Sequence, residues 1–327
     1  MLTKRSGLLL AVVCGLMTAC SGGDDDGGGE TGIPEVTLGA GSYNRAVTVD
    51  GVESNYRLYV PAGVEPGDEE ALPLVISLHG GGSDPVEHDL FTRFRRLADD
   101  ETFVLVTPAG FATTWNAGSC CGPAETQQVD HVAVIDGLLD DVEQLVALDT
   151  TRVYVTGHSN GGMMAYRLAC ELSDRIAAIA PNAATMMDRD LDADPVETVY
   201  SCQPTRPVPV FHVHGLADTC VPFEGGESTG PEGGTRPPVS DSIDFWVSNN
   251  RCLIPPLLSS YNNGDARCET YTGCQDTATV TLCTVENGGH TWPGSGINPS
   301  ADTCGGDAAD DLEATQQIWD FFSGQSL

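Results

Sequence analysis

Ser159 lies at the centre of the pentapeptide Gly157-His158-Ser159-Asn160-Gly161, a pattern in which a serine hydroxyl can act as a nucleophile. The pentapeptide follows a strand-like apolar run, 152–156, and precedes a helix-like run, 163–172. Such a nucleophile needs a strand, a sharp turn and a helix, because glycines on both sides permit the bend that lifts the hydroxyl off the sheet. The pattern alone often arises by chance, so the prediction depends on the strand-like run before it and the helix-like run after it.

A serine hydroxyl needs a base to take its proton, and the base needs an acid to fix its tautomer. Among seven histidines, His290 is the best placed, in a glycine-rich loop directly after a predicted strand at 278–285. Asp218 follows a predicted strand at 208–213 in the same way. The predicted catalytic order Ser159, Asp218, His290 differs from the orders of both common protease folds. The alternatives are a solvated loop histidine and an aspartate that caps its own turn.

Glycine-rich sequence also follows the predicted strand at 72–78, in His79-Gly80-Gly81-Gly82. Glycines allow backbone amides to point towards an oxyanion, so we expect an oxyanion hole made by the amides of Gly81 and Asn160. An ordinary glycine turn is the alternative.

Further polar and aromatic residues have two interpretations each. His212 and His214 lie on one face of a strand, but two imidazoles without a third ligand do not form a zinc site, so we expect packing and no metal. Other side chains are candidates for substrate binding, with core packing as the alternative. They are Trp115, Trp292, Phe223 and His158.

The elements that must position these residues alternate along the chain. The run 47–60 predicts a hairpin that turns at Asp50-Gly51. Apolar runs predict buried strands at 72–78, 103–107, 152–156, 176–180, 208–213 and 278–285. Helical spacing occurs at 91–99, 132–148, 163–172, 240–249 and 312–322. Alternation of this kind predicts an α/β fold, a mainly parallel sheet with helices on both faces and the reactive groups at the carboxyl ends of its strands.

The N-terminal region has the layout of an export signal. Basic residues precede a short apolar run, and small residues then precede Cys20, as in the cleavage site of a bacterial lipoprotein. We expect a signal peptide at 1–19, lipid attachment at Cys20, a flexible acidic glycine-rich tether at 20–42 and one catalytic domain at 43–327. Cleavage elsewhere, which would release a freely secreted protein, is the alternative.

Charge and cysteine content exclude several functions. The formal net charge of −32 disfavours nucleic acid as a partner, because such a surface repels phosphate backbones. The only lysine is Lys4, which excludes a Schiff-base lysine or a P-loop lysine in the mature chain. Twelve cysteines occur, and ten remain without Cys14 and Cys20, so an exported chain can form up to five disulfides. The adjacent Cys120 and Cys121 are expected to have separate partners.

Five motifs together resemble the esterase family named for extracellular poly(3-hydroxybutyrate) depolymerases, which also contains feruloyl and acetylxylan esterases. The resemblance runs from about Val47 to Phe322. The motifs are Leu78-His79-Gly80-Gly81-Gly82, the stretch Trp115 to Gly122, the stretch Gly157 to Cys170, Val213-His214-Gly215 and Gly288 to Gly294. Gly81 occupies a position that is often cysteine in this family, and Cys220 lies beside the acid; both differences make the substrate less predictable than the mechanism.

The resemblance implies an exported α/β-hydrolase in which Ser159, Asp218 and His290 form the triad, without any cofactor. The implied substrate is a polysaccharide-linked ester or a polyester, and we expect a monomer that meets the membrane only through a lipid anchor. Soluble feruloyl or acetyl esters are preferred, since the chain offers no room after Phe322 for a module that binds solid polymer. The alternatives are a polyhydroxybutyrate depolymerase proper, a peptidase and a carbohydrate-binding surface lipoprotein that has lost catalysis.

Overall fold

A computed structural model of the chain describes residues 37–327 except residue 256, and only the backbone of 257–259. The predicted signal peptide, the lipidation site at Cys20 and most of the tether lie outside the described residues. The strands are β1 Gly41–Val49, β2 Val52–Val60, β3 Leu72–Leu78, β4 Val104–Pro108, β5 Leu148–His158, β6 Ala178–Asn182, β7 Arg189–Asp190, β8 Glu197–Thr198, β9 Val210–Gly215, β10 Gly226–Glu227, β11 Thr235–Arg236, β12 Leu257–Asn263, β13 Ala266–Tyr271 and β14 Val280–Val285.

Helices alternate with these strands. They are α1 Pro85–Thr92, α2 Phe94–Glu101, α3 Gly122–Thr126, α4 His131–Glu143, α5 Asn160–Glu171, α6 Val239–Asn249, α7 Ala301–Cys304 and α8 Ala314–Phe322, with a 3₁₀ turn at Gln275–Thr277. None of the helices in this part of the chain is long and apolar enough to cross a lipid bilayer.

Ten of the described strands form one sheet in the order β1-β2-β4-β3-β5-β6-β9-β14-β13-β12. The six central strands, β4 to β14, run parallel, and the hairpins β1–β2 and β12–β13 extend the two edges antiparallel. The loops after β5, β6, β9 and β14 therefore all leave the sheet at the carboxyl ends of its parallel strands, and these four strands are neighbours. The predicted α/β architecture is confirmed.

Apolar side chains cover both faces of the sheet. On β3, Leu74 and Ile76 pack on one face with helices α4, α5 and α6, whereas Val75 packs on the other face with α2 and α8. Because both faces are buried, every residue of β3 is buried and the sequence shows a continuous apolar run rather than an alternating one. This packing fixes the strand ends on which the reactive loops are built.

Two predicted helices differ from those observed. The helix expected at 91–99 is divided at Arg93, whose φ of 61° is outside the helical region. The first part, α1, begins earlier than predicted, because the Asp84 carboxylate accepts hydrogen bonds from two amides of its first turn. The helix expected to reach Leu148 ends at Glu143, since Leu148 is already paired with Leu72 in the sheet.

The hairpin β12–β13 was not predicted from the sequence. Its residues are largely polar, and it extends the edge of the sheet, where strands need no continuous apolar run. Cys268 on β13 lies directly opposite Cys283 on β14, and a disulfide joins the two. The predicted hairpin at 47–60 is observed as β1 and β2, with its turn at Asp50-Gly51.

The ten cysteines of the described residues form five disulfides, and one pairing corrects the sequence interpretation. Besides the Cys268–Cys283 bond, the pairs are Cys120–Cys121, Cys170–Cys202, Cys220–Cys304 and Cys252–Cys274. The expectation that the adjacent Cys120 and Cys121 have separate partners was wrong. The Cα atoms of these two residues are only 3.0 Å apart, so each thiol has the other as its nearest partner.

Six buried histidines are held neutral. Burial lowers the pKa of each imidazole, to about 4 for His131 and about 3 for His158. The six are His79, His88, His131, His158, His212 and His214. A histidine that resists protonation only in the folded state binds more protons when the chain unfolds, so protonation of these histidines in acid favours the unfolded chain.

We expect the free energy of unfolding to fall as the pH drops from 6.5 to 5.5. The sign follows from the lowered pKa of each buried histidine, and each one contributes about 1.4 kcal/mol per pH unit below its unfolded pKa. Urea unfolding at several pH values measures the slope. As a control, His88→Gln, which keeps hydrogen-bonding capacity without titrating, should reduce the slope by about one proton. A flat profile over this interval would contradict the assignment.

Packing of α8 on the sheet gives a second prediction. The Phe322 ring is fully buried and stacks on the Tyr154 ring of β5 with centroids 4.7 Å apart. Phe322→Ala should lower the free energy of unfolding by about 3–5 kcal/mol, because it leaves a cavity in the core. The neighbouring Phe321 is only partly buried, so Phe321→Ala should cost less in the same urea titration. Equal losses in the two variants would show that α8 is not packed in this way.

Candidate active site

Ser159 occupies a strained bend between β5 and α5. Its φ of 55° and ψ of −124° lie in a region that residues with a side chain rarely adopt. A Cβ on Gly157 would lie 2.5 Å from the backbone carbonyl of Gly161, and a Cβ on Gly161 would collide with the carbonyl oxygen of Leu78. Only glycine fits at either position. The hydroxyl therefore projects from the end of β5, as the sequence predicts.

The predicted base and acid lie in line with this hydroxyl. The Nε2 atom of His290 is 2.8 Å from the Ser159 Oγ, and its Nδ1 atom is 2.7 Å from Oδ2 of Asp218. Because the carboxylate can only accept, Nδ1 carries the proton and Nε2 is free to accept the serine proton. The structure thus brings together the three residues that the sequence predicts to be catalytic.

Asp218 is buried and kept ionised by its neighbours. Its other oxygen, Oδ1, accepts hydrogen bonds from the amides of Cys220 at 2.8 Å and Val221 at 2.9 Å. Burial opposes the charge on this carboxylate, but the His290 ring and the amide of Val221 outweigh that effect and lower its pKa. The acid is thereby fixed as a hydrogen-bond acceptor.

The turn that carries Asp218, residues 218–221 and here called the acid turn, is held against the loop that follows β14 and carries His290, here called the histidine loop. The disulfide Cys220–Cys304 joins the acid turn to α7, and the Thr219 amide donates to the Cys304 carbonyl at 2.9 Å. Gly215, at the end of β9, approaches the backbone of Gly288 so closely that a Cβ would collide with it. Cys220, which the sequence marks only as unusual, thus holds the acid turn in place.

The predicted oxyanion loop, residues 79–82, lies against Ser159. A Cβ on Gly80 would be 3.5 Å from the Cβ of Ser159, and one on Gly81 would be 3.7 Å from the Cβ of Asn160. Asn160 is the first residue of α5, so its amide has no acceptor within the helix. The amides of Gly81 and Asn160 thus belong to adjoining backbone segments beside the hydroxyl.

Two side chains that the sequence interpretation missed hold this loop. The His79 ring accepts a hydrogen bond from the Gly110 amide at Nε2 and donates from Nδ1 to the Gly80 carbonyl at 2.8 Å. The Asn160 side chain accepts from the Trp115 amide at 2.6 Å and donates to the Trp115 carbonyl at 2.9 Å. Both residues stand inside the predicted motifs, but their side-chain roles depend on contacts with a distant loop.

Trp115 and Trp292 were candidates for substrate binding with core packing as the alternative, and the burial of both rings favours core packing. The Trp115 side chain is fully buried, and its indole N–H donates to the His79 carbonyl at 2.9 Å, so it supports the oxyanion loop from behind. The Trp292 side chain is 1% exposed and donates to Thr315 Oγ1 at 2.9 Å. Both rings are stabilised in the core because their apolar surface is buried there, and each indole N–H still donates to an acceptor.

His158 is buried beside the His290 ring. Its ring is 4.7 Å from the His290 ring and 5.3 Å from the Phe91 ring, measured between centroids. The Nδ1 atom donates to the side-chain oxygen of Asn182 at 2.7 Å, and the backbone carbonyl of Asn182 accepts from the Ser159 amide. Asn182, at the end of β6, is a further residue that the sequence interpretation missed. For His158, a candidate for substrate binding with packing as the alternative, these contacts favour packing.

His212 and His214 use all four ring nitrogens in hydrogen bonds to protein atoms. Their partners are each other, the Tyr166 hydroxyl and the Val221 carbonyl. Within the described residues no group of three possible metal ligands occurs. Phe223, the remaining pocket candidate, is partly buried and packs edge-on against His214 at 5.8 Å.

Sequence comparison relates the chain to esterases. It is 29% identical to Feruloyl esterase B of Piromyces equi over 228 residues, which cover 68% of this chain and 40% of that protein. It is 30% identical to the bifunctional acetylxylan esterase/xylanase XynS20E of Neocallimastix patriciarum over 232 residues, 67% of this chain and 31% of that protein. The chain thus spans less than two thirds of either relative.

A relative of similar length is Feruloyl esterase C of Emericella nidulans, 24% identical over 314 residues, which cover 94% of each chain. No protein-family model matches the sequence.

Solved structures share the fold. One, titled a thermostable esterase, superposes with a TM-score of 0.52 at 18% identity and covers 88% of this chain and 63% of that one. The acetyl xylan esterase from Aspergillus awamori gives a TM-score of 0.52 at 15% identity and covers 80% of this chain and 97% of that one. The chain therefore has the α/β-hydrolase fold, and it is similar in sequence to proteins named as feruloyl and acetylxylan esterases.

Proposed function

We propose that the protein hydrolyses carboxylic esters with Ser159 as nucleophile, His290 as general base and acid, and Asp218 as the residue that orients His290. The observation that carries this proposal is the line of hydrogen bonds from the Ser159 hydroxyl through His290 to the Asp218 carboxylate, at 2.8 Å and 2.7 Å. The esterase names of the sequence relatives support the same reaction class.

The reaction proceeds in two steps through an acyl-enzyme. Ser159 Oγ attacks the ester carbonyl carbon while His290 Nε2 takes the hydroxyl proton, and the amides of Gly81 and Asn160 stabilise the oxyanion. His290 then gives this proton to the departing alkoxide, which leaves as an alcohol. In the second step His290 takes a proton from water, the hydroxide attacks the acyl-enzyme, and Ser159 regains its proton as the acid leaves. No metal or organic cofactor takes part in these steps.

For the substrate we propose soluble esters of the feruloyl or acetyl type, carried by plant polysaccharide. The names of the relatives support these acyl groups, since two are feruloyl esterases and one is an acetylxylan esterase. The net charge of −32 suits a neutral carbohydrate ester better than a polyanion.

We propose further that the protein acts outside the cytoplasm, as a monomer, either freely secreted or held to the membrane by a lipid on Cys20. The five disulfides of the described residues support an oxidising compartment. The basic, apolar and small-residue segments before Cys20 support an exported chain.

Replacement of the nucleophile tests the proposal directly. Ser159→Ala should reduce kcat for p-nitrophenyl acetate by about 10⁶-fold, because it removes the hydroxyl that lies 2.8 Å from His290 Nε2. Circular dichroism should stay native. The exposed serine after α8 provides a matched control, and Ser323→Ala should keep full activity. Esterase activity that survives in Ser159→Ala, or a fluorophosphonate label mapped by mass spectrometry to another residue, would refute the mechanism.

A substrate panel tests the acyl preference. We expect turnover of methyl ferulate or acetylated xylan, little release from amorphous polyhydroxybutyrate, and none from matched amide substrates. Product release can be followed by chromatography, with Ser159→Ala as the blank. If polyhydroxybutyrate alone is degraded, the proposed substrate class is wrong although the mechanism stands; cleavage of amides alone would instead indicate a peptidase.

A further inference from the structure

Three buried side chains behind the acid form a continuous line of hydrogen bonds that the proposed mechanism does not use. They are Tyr166 on α5 and His212 and His214 on β9, all completely buried. The Tyr166 hydroxyl is 2.8 Å from His212 Nδ1, and His212 Nε2 is 3.0 Å from His214 Nδ1. The last ring nitrogen, His214 Nε2, is 2.8 Å from the carbonyl oxygen of Val221.

The direction of this line is fixed by its last acceptor. A carbonyl oxygen can only accept, so His214 Nε2 carries a proton and donates it to Val221. Burial lowers the pKa of both histidines, and each neutral ring therefore carries one proton. It follows that His212 donates from Nε2 to His214, and that Tyr166 donates to His212. One arrangement of protons satisfies every atom of the line.

The line joins the two parts of the molecule that carry the nucleophile and the acid. It begins on α5, whose preceding residue is Ser159, and it ends on the turn from Asp218 to Val221. Val221 is bonded from both sides: its carbonyl accepts from His214, while its amide donates to Oδ1 of Asp218 at 2.9 Å. His214 Nε2 is also 3.8 Å from Oδ2 of Asp218, the oxygen that accepts from His290.

We propose that Tyr166, His212 and His214 are positioning residues that hold the Asp218 carboxylate in line with His290. This inference rests on the proposed function of the triad. The three residues touch neither the substrate nor the reacting atoms, and they transfer no proton, because the line ends on a backbone carbonyl. Their action is geometric: His214 fixes the carbonyl of Val221, and the amide of the same residue, one peptide group earlier, fixes one oxygen of Asp218.

Two substitutions at His214 separate hydrogen bonding from packing. His214→Phe keeps a planar ring but removes both hydrogen bonds, whereas His214→Gln has a carbonyl and an amide that can replace the acceptor and the donor. Tyr166→Phe removes only the hydroxyl at the far end and leaves no cavity. Its matched control is Tyr154→Phe, which also removes the hydrogen bond of a tyrosine hydroxyl, a partly buried one to the Gln325 carbonyl at 2.7 Å, away from this line.

Kinetics with p-nitrophenyl acetate and proton NMR provide separate readouts. In His214→Phe we expect kcat to fall by about 100-fold with KM unchanged, because a small displacement of a catalytic group affects the chemical step. The low-field resonance of the proton between His290 and Asp218 should shift or disappear. His214→Gln should restore most of kcat together with the resonance. Tyr166→Phe should lower kcat by about threefold and shift the resonance, while Tyr154→Phe leaves both unchanged.

Several results would overturn the inference. They are wild-type kcat and resonance in folded His214→Phe, equal losses in His214→Gln and His214→Phe, and equal behaviour of Tyr166→Phe and Tyr154→Phe. If His214→Phe does not fold, the comparison of the two tyrosine variants decides. Should the wild-type protein lack esterase activity, the proposed function fails on its own, and the NMR resonance still reports whether this line positions Asp218.

Discussion

The backbone bend at Ser159 is the constraint on which the site depends. A residue with a side chain is held at φ 55°, and this is possible only because glycines at 157 and 161 let β5, α5 and the end of β3 approach to van der Waals contact. The bend is stabilised from below, where the Asn182 carbonyl accepts from the Ser159 amide at 2.9 Å. Packing of the whole sheet stabilises this unfavourable conformation, so the orientation of the Ser159 hydroxyl depends on the fold.

Four neighbouring strands each deliver one part of the site to the same edge. In the order of the sheet, β5 provides Ser159, β6 provides Asn182, β9 provides Asp218 and β14 provides His290. The parallel arrangement makes their carboxyl ends adjacent, although the three proposed catalytic residues are far apart in the sequence. The disulfide Cys220–Cys304 and the close approach of Gly215 to Gly288 then fix the loops that carry Asp218 and His290 against each other.

Neutral imidazoles support this edge in several places. His79 holds the oxyanion loop, His158 lies between His290 and Asn182, and His214 holds the acid turn. A neutral imidazole donates with one nitrogen and accepts with the other, so it can link two backbone or side-chain groups that a lysine or a carboxylate could not. The same burial that makes these bonds effective prevents protonation, and it ties the order of the site to the pH at which the fold is stable.

The sequence by itself determined the α/β class, the strand that precedes each reactive loop, and Ser159, Asp218 and His290 as a set. These features are local, since a glycine-flanked serine, an apolar run or a loop after a strand is visible within about ten residues. Tertiary structure decided which side chains face the site. The indoles of Trp115 and Trp292 and the ring of His158 were candidates for substrate binding, yet they lie inside, because neighbouring elements cover them. Backbone geometry that residue type alone does not fix decided two further features, the division of the helix at Arg93 and the Cys120–Cys121 bond. Contacts between segments distant in sequence decided two others, the support from Asn182 and the line from Tyr166 to Val221.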